Sequence, residues 1–217
     1  MPEGITSLYE ARQPLLEQVK HALEIETREA LSGVDHIDRV SFRVKSARSF
    51  AAKACDPRNR TVYADPFVEI EDQVAGRVLV FFWSDIESVL SRLKETFNEV
   101  ERTYTRPERD AEFGYESFHL ICTIPPQSRP DAWNKREDLP ATFELQVRTI
   151  FMHAYAEPQH DIGYKGAAEL PRDVRRELAW IAASAWGADQ AYERVRVWHE
   201  GRVLDVGPTA DAAPSCK

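Results

Sequence analysis

Six apolar residues in a row, Val78-Leu79-Val80-Phe81-Phe82-Trp83, constrain this chain more than any other stretch. Such a run predicts a central strand covered on both faces, and therefore a sheet layered with helices. Polar punctuation precedes it in Glu71-Asp72-Gln73-Val74-Ala75-Gly76-Arg77. After it, Ser84 and Glu87 are spaced as a capping box. Ile86, Val89, Leu90, Leu93 and Phe97 then fall on one helical stripe.

The rest of the pattern agrees. Residues 6–32 read as one or two helices, with Leu16, Val19 and Leu23 at helical spacing, Pro14 in a first turn and Gly33 as the stop. Val40 to Lys45 reads as a short strand, with Ser46 capping a helix to about Ala54. Residues 55–66 read as a loop. Phe118, Leu120, Cys122 and Ile124 alternate in one strand, and Phe143, Leu145 and Val147 in another; these two are expected to pair. Helices follow over about 149–164 and 171–198. The expectation is an α/β (α+β) chain with a mixed sheet of about five strands flanked by N- and C-terminal helices. Trp180, Trp186 and Trp198 read as core residues, with a subunit contact as the alternative.

No run of about eighteen apolar residues occurs, and the N-terminus MPEGITSLYEARQ has no signal-peptide pattern, so a cytoplasmic protein is expected. Cys55, Cys122 and Cys216 have neither metal-ligand nor disulfide spacing. The chain carries a net −8, yet Arg39 to Arg60 holds seven bases against Asp56, a local +6 that leaves −14 on the remainder. A basic patch on an acidic chain suits a small, densely charged anion better than a long nucleic acid, although a solvated basic face is an equal alternative.

Four clusters carry the candidate chemistry. Arg43, Lys45, Ser49 and Lys53 place three cations and a hydroxyl around a strand–helix corner, as a triphosphate requires. Asp72 at a strand mouth beside such a site suits a Mg²⁺ ligand, and Arg77 lies five residues on. Gly114-Tyr115-Glu116-Ser117-Phe118-His119 begins a strand with an aromatic able to stack on a base. Alternation puts Glu144, Gln146 and Arg148 on one strand face, with Glu144 placed as a general base or metal ligand. Taken singly, each cluster is equally an ordinary polar surface. His153 and His160, seven apart, read as packing or hydrogen-bonding residues.

Together, in this order, the stretches RVKSARSFAAK, Asp72 with Arg77, GYESFH and ELQVRT closely resemble the synthetase domain of the RelA/SpoT family, across roughly residues 35–165. Two departures stand out. Gly76 sits one place later than the family's usual glycine, and Glu116 stands where Arg or Gln is frequent.

The resemblance implies a nucleotidyltransferase-like synthetase fold at 35–165; the residue pattern adds a helical extension at 1–34, C-terminal helices at 166–206 and a disordered tail at 207–217. It implies transfer of the β,γ-pyrophosphate of ATP to the 3′-hydroxyl of GDP or GTP, making the alarmones ppGpp and pppGpp. Arg43, Lys45 and Lys53 would hold ATP phosphates, with Ser49 and Arg77 in the same ATP site. Asp72 and Glu144 would bind Mg²⁺, with Glu144 also the base. Tyr115, His119 and Gln146 would serve the acceptor. Relatives imply two rivals: transfer to the 3′ end of tRNA, which an acidic chain disfavours, and a nucleotide-binding module without turnover. A homo-oligomer, a tetramer by analogy, is expected.

Overall fold

The computed structural model describes residues 2–56, 63–109, 112–161 and 170–205. The expectations for the tail at 207–217, for the helix end at 162–164 and for Arg58 and Arg60 lie outside these residues, as do the side chains of His160 and Asp161.

Five strands form one mixed sheet: β1 (Ile37–Val44), β2 (Val74–Val80), β3 (Glu99–Thr105), β4 (Ser117–Thr123) and β5 (Thr142–Thr149), in the order β1-β2-β5-β4-β3. β2 and β5 run parallel at the centre, and every other pairing is antiparallel. Seven helices frame the sheet among the described residues: α1 (Pro2–Glu10), α2 (Gln13–Ala30), α3 (Ala47–Cys55), α4 (Pro66–Glu69), α5 (Asp85–Thr96), α6 (Ile150–Asp161) and α7 (Arg172–Asp205). No described helix is long and apolar enough to cross a membrane.

One sheet face holds the core. Val40, Val78, Val80, Leu120, Phe143, Leu145 and Val147 join Leu16, Val19 and Leu23 of α2 and Ile86, Val89, Leu90 and Leu93 of α5 in one buried cluster. Pro14 sits in the first turn of α2 as expected, and Gly33 takes φ +81° just past that helix, a conformation glycine adopts without strain. The same cluster takes in the contact of α1 with α3, where the Tyr9 and Phe50 rings stack at 4.0 Å.

Four local expectations need correction. The central strand runs Val74–Val80, four residues earlier than the apolar run, because Phe81 turns out of the sheet and donates its N–H to the His36 carbonyl at 2.9 Å. The start reads as a turn in sequence because Asp72 and Gly76 are common turn residues. In space a Cβ on Gly76 would stand 2.4 Å from the Phe42 ring and 2.6 Å from Leu145, so glycine is what lets β1 and β5 close over β2.

The capping box does not form. Ser84 is helical (φ −62°, ψ −20°) without a side-chain cap bond, and its N–H and hydroxyl go instead to Glu193 of α7, at 2.8 and 3.0 Å. β3 was not expected, since Glu99, Glu101 and Arg102 hide its alternation at an exposed sheet edge. Finally, Trp180, Trp186 and Trp198 are exposed on α7, at 68%, 41% and 59%, and are not core residues.

Candidate active site

The sheet register gathers the candidate residues on the face opposite the core. Arg43 lies across from Ala75, Ala75 from Glu144, Arg77 from Gln146, and Gln146 from His119. Strand alternation then puts Arg43, Arg77, Glu144, Gln146, Arg148 and His119 on one surface.

At one side stands a clamp of two ammoniums on a carboxylate. Asp72 sits in a single 3₁₀ turn, Glu71–Gln73, fixed by the buried Gln73, whose amide donates to the carbonyls of Phe67 (2.7 Å) and Ile70 (2.9 Å). The Lys45 N–H donates to the Gln73 carbonyl at 2.9 Å, which ties the end of β1 to the same turn. Ser46 caps α3 by accepting the Ser49 N–H at 3.2 Å, as expected, and the Ser49 hydroxyl lies 2.9 Å from that of Ser46. The cap orients α3 so that Lys53 reaches Asp72 Oδ1 at 2.9 Å, while Lys45 holds Oδ2. Burial pushes the Asp72 carboxyl up, but Lys45 and Lys53 outweigh it, and the net direction is down. Lys53 mirrors this: burial lowers it, Asp72 raises it more, and it stays charged.

The second half centres on Glu144. His119 Nδ1 stands 2.6 Å from Glu144 Oε1, and the Gln146 amide donates to the same oxygen at 3.2 Å. Burial raises this carboxyl too, but the His119 and Gln146 hydrogen bonds prevail and hold it below its ordinary value. The Asp72 charge acts on Glu144 and raises its carboxyl slightly against those hydrogen bonds, so the two carboxylates share one field. Tyr115 stands with its hydroxyl 3.3 Å from His119 Nε2.

Arg43 is exposed at the rim. With Arg77, Gly76 and Gln146 it lines a small cavity of about 220 Å³ above the β1–β2 pair. Arg43, Arg77, His119, Glu144 and Gln146 therefore lie on this one face, with Lys45, Lys53, Asp72 and Tyr115 bonded to one another or to its residues beside it.

Three further side chains belong to the constellation and were not singled out as site residues. Arg148 is 2% exposed and donates to the Tyr115 hydroxyl at 3.2 Å and to His153 Nδ1 at 3.0 Å. Glu157 bonds Arg77 at 3.0 Å and lies 3.5 Å from Arg148. Burial lowers the His153 pKa, and the neighbouring Arg148 and Arg77 lower it further, so it accepts as a neutral imidazole. The signal available in sequence was thin: Arg148 shares the Glu144–Gln146 alternation, and His153 and Glu157 are four apart on α6.

The two carboxylates suit a hard divalent cation. Among the described residues no group of three His, Cys, Asp or Glu side chains converges, and the carboxylates of this site are Asp72, whose oxygens Lys45 and Lys53 hold, and Glu144. Mg²⁺ accepts that arrangement, since it takes one or two carboxylates and completes its shell with water and phosphate oxygens.

A profile of the family described as "Region found in RelA / SpoT proteins" matches residues 42–169. GTP pyrophosphokinase YjbM of Bacillus subtilis (strain 168) is 26% identical over 167 residues, spanning 75% of this chain and 74% of its own. A GTP pyrophosphokinase family protein from Streptococcus pneumoniae superposes with a TM-score of 0.73 at 22% identity, covering 92% of this chain and 98% of its own. Small alarmone synthetase 1 from Bacillus subtilis, bound to its product pppGpp, superposes at 0.72 with 22% identity, covering 89% and 99%. The fold is thus that of the small alarmone synthetase structures.

Proposed function

The chain belongs to the RelA/SpoT family, and from that premise we propose that it transfers the β,γ-pyrophosphate of ATP to the 3′-hydroxyl of GDP or GTP, releasing AMP. One observation carries the reading: a carboxylate clamped between Lys45 and Lys53, in the turn that leads into β2, lies within electrostatic reach of a second carboxylate that His119 orients on the sheet face. Relatives named GTP pyrophosphokinase, and a like-folded protein bound to pppGpp, point the same way.

Each residue then has a physical task. Arg43, Lys45 and Lys53 present converging cations to the triphosphate, whose charge a single cation cannot offset. Ser49 keeps the strand–helix corner in shape, and Arg77 with Arg43 frames the cavity for the rest of ATP. Tyr115 and Gln146 serve the acceptor. Glu144 takes the proton of the 3′-hydroxyl as its oxygen attacks the β-phosphorus, a task that needs the ionised form its hydrogen bonds favour. Asp72 and Glu144 would hold Mg²⁺, which when bound supplies positive charge against the phosphate oxygens. The exposed Trp180, Val195, Val197 and Trp198 of α7 are the natural contact for the homo-oligomer expected by analogy.

The test is product identification with GDP, GTP and deacylated tRNA as competing acceptors of labelled ATP. Label is expected on the guanine nucleotides with stoichiometric AMP; label on tRNA alone overturns the choice of acceptor. Glu144→Gln should lower AMP release at least about a hundredfold while leaving ATP affinity within about twofold, because the substitution keeps the shape and removes the base. A wild-type protein no faster than that variant is a binding module, not an enzyme.

A further inference from the structure

We infer that the hydroxyl of Tyr115, anchored by Arg148, is a positioning group for Glu144 that acts through His119. The inference rests on the functional reading above and deepens it, because the sequence points only to the ring of Tyr115.

The direction of every bond in the chain is set by what each group is able to do. Arg148 only donates. Its side chain is 1% exposed and is held from its other edge by His153 at 3.0 Å and Glu157 at 3.5 Å, so the guanidinium is fixed. One N–H meets the Tyr115 oxygen at 3.2 Å, which makes that oxygen an acceptor. With His119 neutral, the phenolic proton is free to point away from Arg148, and the acceptor facing it is His119 Nε2, at 3.3 Å. With Nε2 unprotonated, the neutral imidazole carries its proton on Nδ1 and donates it to Glu144 Oε1 at 2.6 Å. The rings of Tyr115 and His119 meet edge to face, with centroids 5.9 Å apart, which further limits rotation of the imidazole.

The consequence falls on Glu144. Both of its described hydrogen bonds, from His119 and from Gln146, end on Oε1. Oε2 receives none among the described residues. One oxygen is thus tied by the relay, which leaves the other for a substrate proton or a cation. Without the Tyr115 hydroxyl, His119 keeps its bond to Glu144 but loses the partner that fixes its ring, and the carboxylate loses definition.

The experiment pairs kinetics with nitrogen NMR. In ¹⁵N-labelled wild-type protein, His119 should be the Nδ1–H tautomer with a hydrogen-bonded Nε2. In Tyr115→Phe the Nε2 resonance should move to the value of a nitrogen without a donor, kcat should fall about tenfold or more, and the KM of the guanine nucleotide should change less than twofold, since the ring remains. A purely structural loss would lower the melting temperature or raise both KM values instead. An Nε2–H tautomer in the wild type, or a Tyr115→Phe enzyme with wild-type kcat, overturns the inference. If Tyr115→Phe does not fold, the wild-type tautomer decides alone. A wild-type protein that makes no product from any acceptor sinks the functional reading, while the tautomer still reports on the relay.

Discussion

At the scale of single residues, the site works by letting specific partners outweigh burial. Asp72 and Glu144 are both sheltered enough for desolvation to favour the neutral acid, and both are held ionised by their neighbours. The sign follows directly. Each folded pKa lies below the unfolded one, so each carboxylate is charged, and contributes its stability, above the unfolded value; the contribution is lost only as pH falls through the folded value. Protonation of Asp72 or Glu144 is therefore expected to limit turnover only below the ordinary carboxylate range, about pH 4. The profile of kcat against pH checks this, and an acid limb near pH 6 or above belongs to a group other than these two carboxylates. Lys45 and Lys53 were recognisable in sequence as cations at a corner. Their convergence on Asp72 was not, because those bonds span 27 and 19 residues and exist only once β1, α3 and the 3₁₀ turn are assembled.

At the scale of elements, β2 joins the two halves of the site, and Gly76 is what allows it. The glycine faces the core, where the Phe42 ring and Leu145 fill the space a Cβ would need. Gly76→Ala is expected to destabilise by about 1–3 kcal/mol through overpacking, measured by denaturant unfolding, with lowered activity because Arg77 and Asp72 flank the strained strand. Wild-type stability in that variant would mean that Phe42 repacks freely. The same strand shows why the apolar run misled at its ends. Phe81 closes the layer against the His36 carbonyl instead of continuing the ladder, a choice made by β1 and invisible in a window around Phe81.

At the scale of the whole molecule, one stretch of α7, from Asp189 to Arg196, ties together two points distant in sequence. Glu193 and Arg196 hold Ser84 and Asp85 at the start of α5, and Asp189 accepts the Thr149 hydroxyl at 2.8 Å where β5 passes into α6. Burial pushes the Asp189 carboxyl up to about 6; the Thr149 bond works against this, and nearby Glu116 and Glu193 add to it. Here the folded value is raised, so the contribution is full below the unfolded carboxylate range and is lost as pH rises through about 6. Between pH 5 and 7 the wild type should lose about 1–3 kcal/mol relative to Asp189→Asn, read from thermal melts of both proteins; parallel melting curves across that interval would exclude the effect. What the chain's residues determined by themselves was the layered α/β plan, the N-cap of α3, the inward faces of β4 and β5, and the residue types at the site, because these depend on periodicity and on side-chain chemistry close along the chain. Tertiary structure alone decided the parallel pairing of β2 with β5, the edge strand β3, the recruitment of Arg148, His153 and Glu157, and the capping of α5 by Glu193. Those outcomes depend on which distant groups meet across a closed sheet, where a buried donor takes whatever acceptor the assembled fold brings within reach.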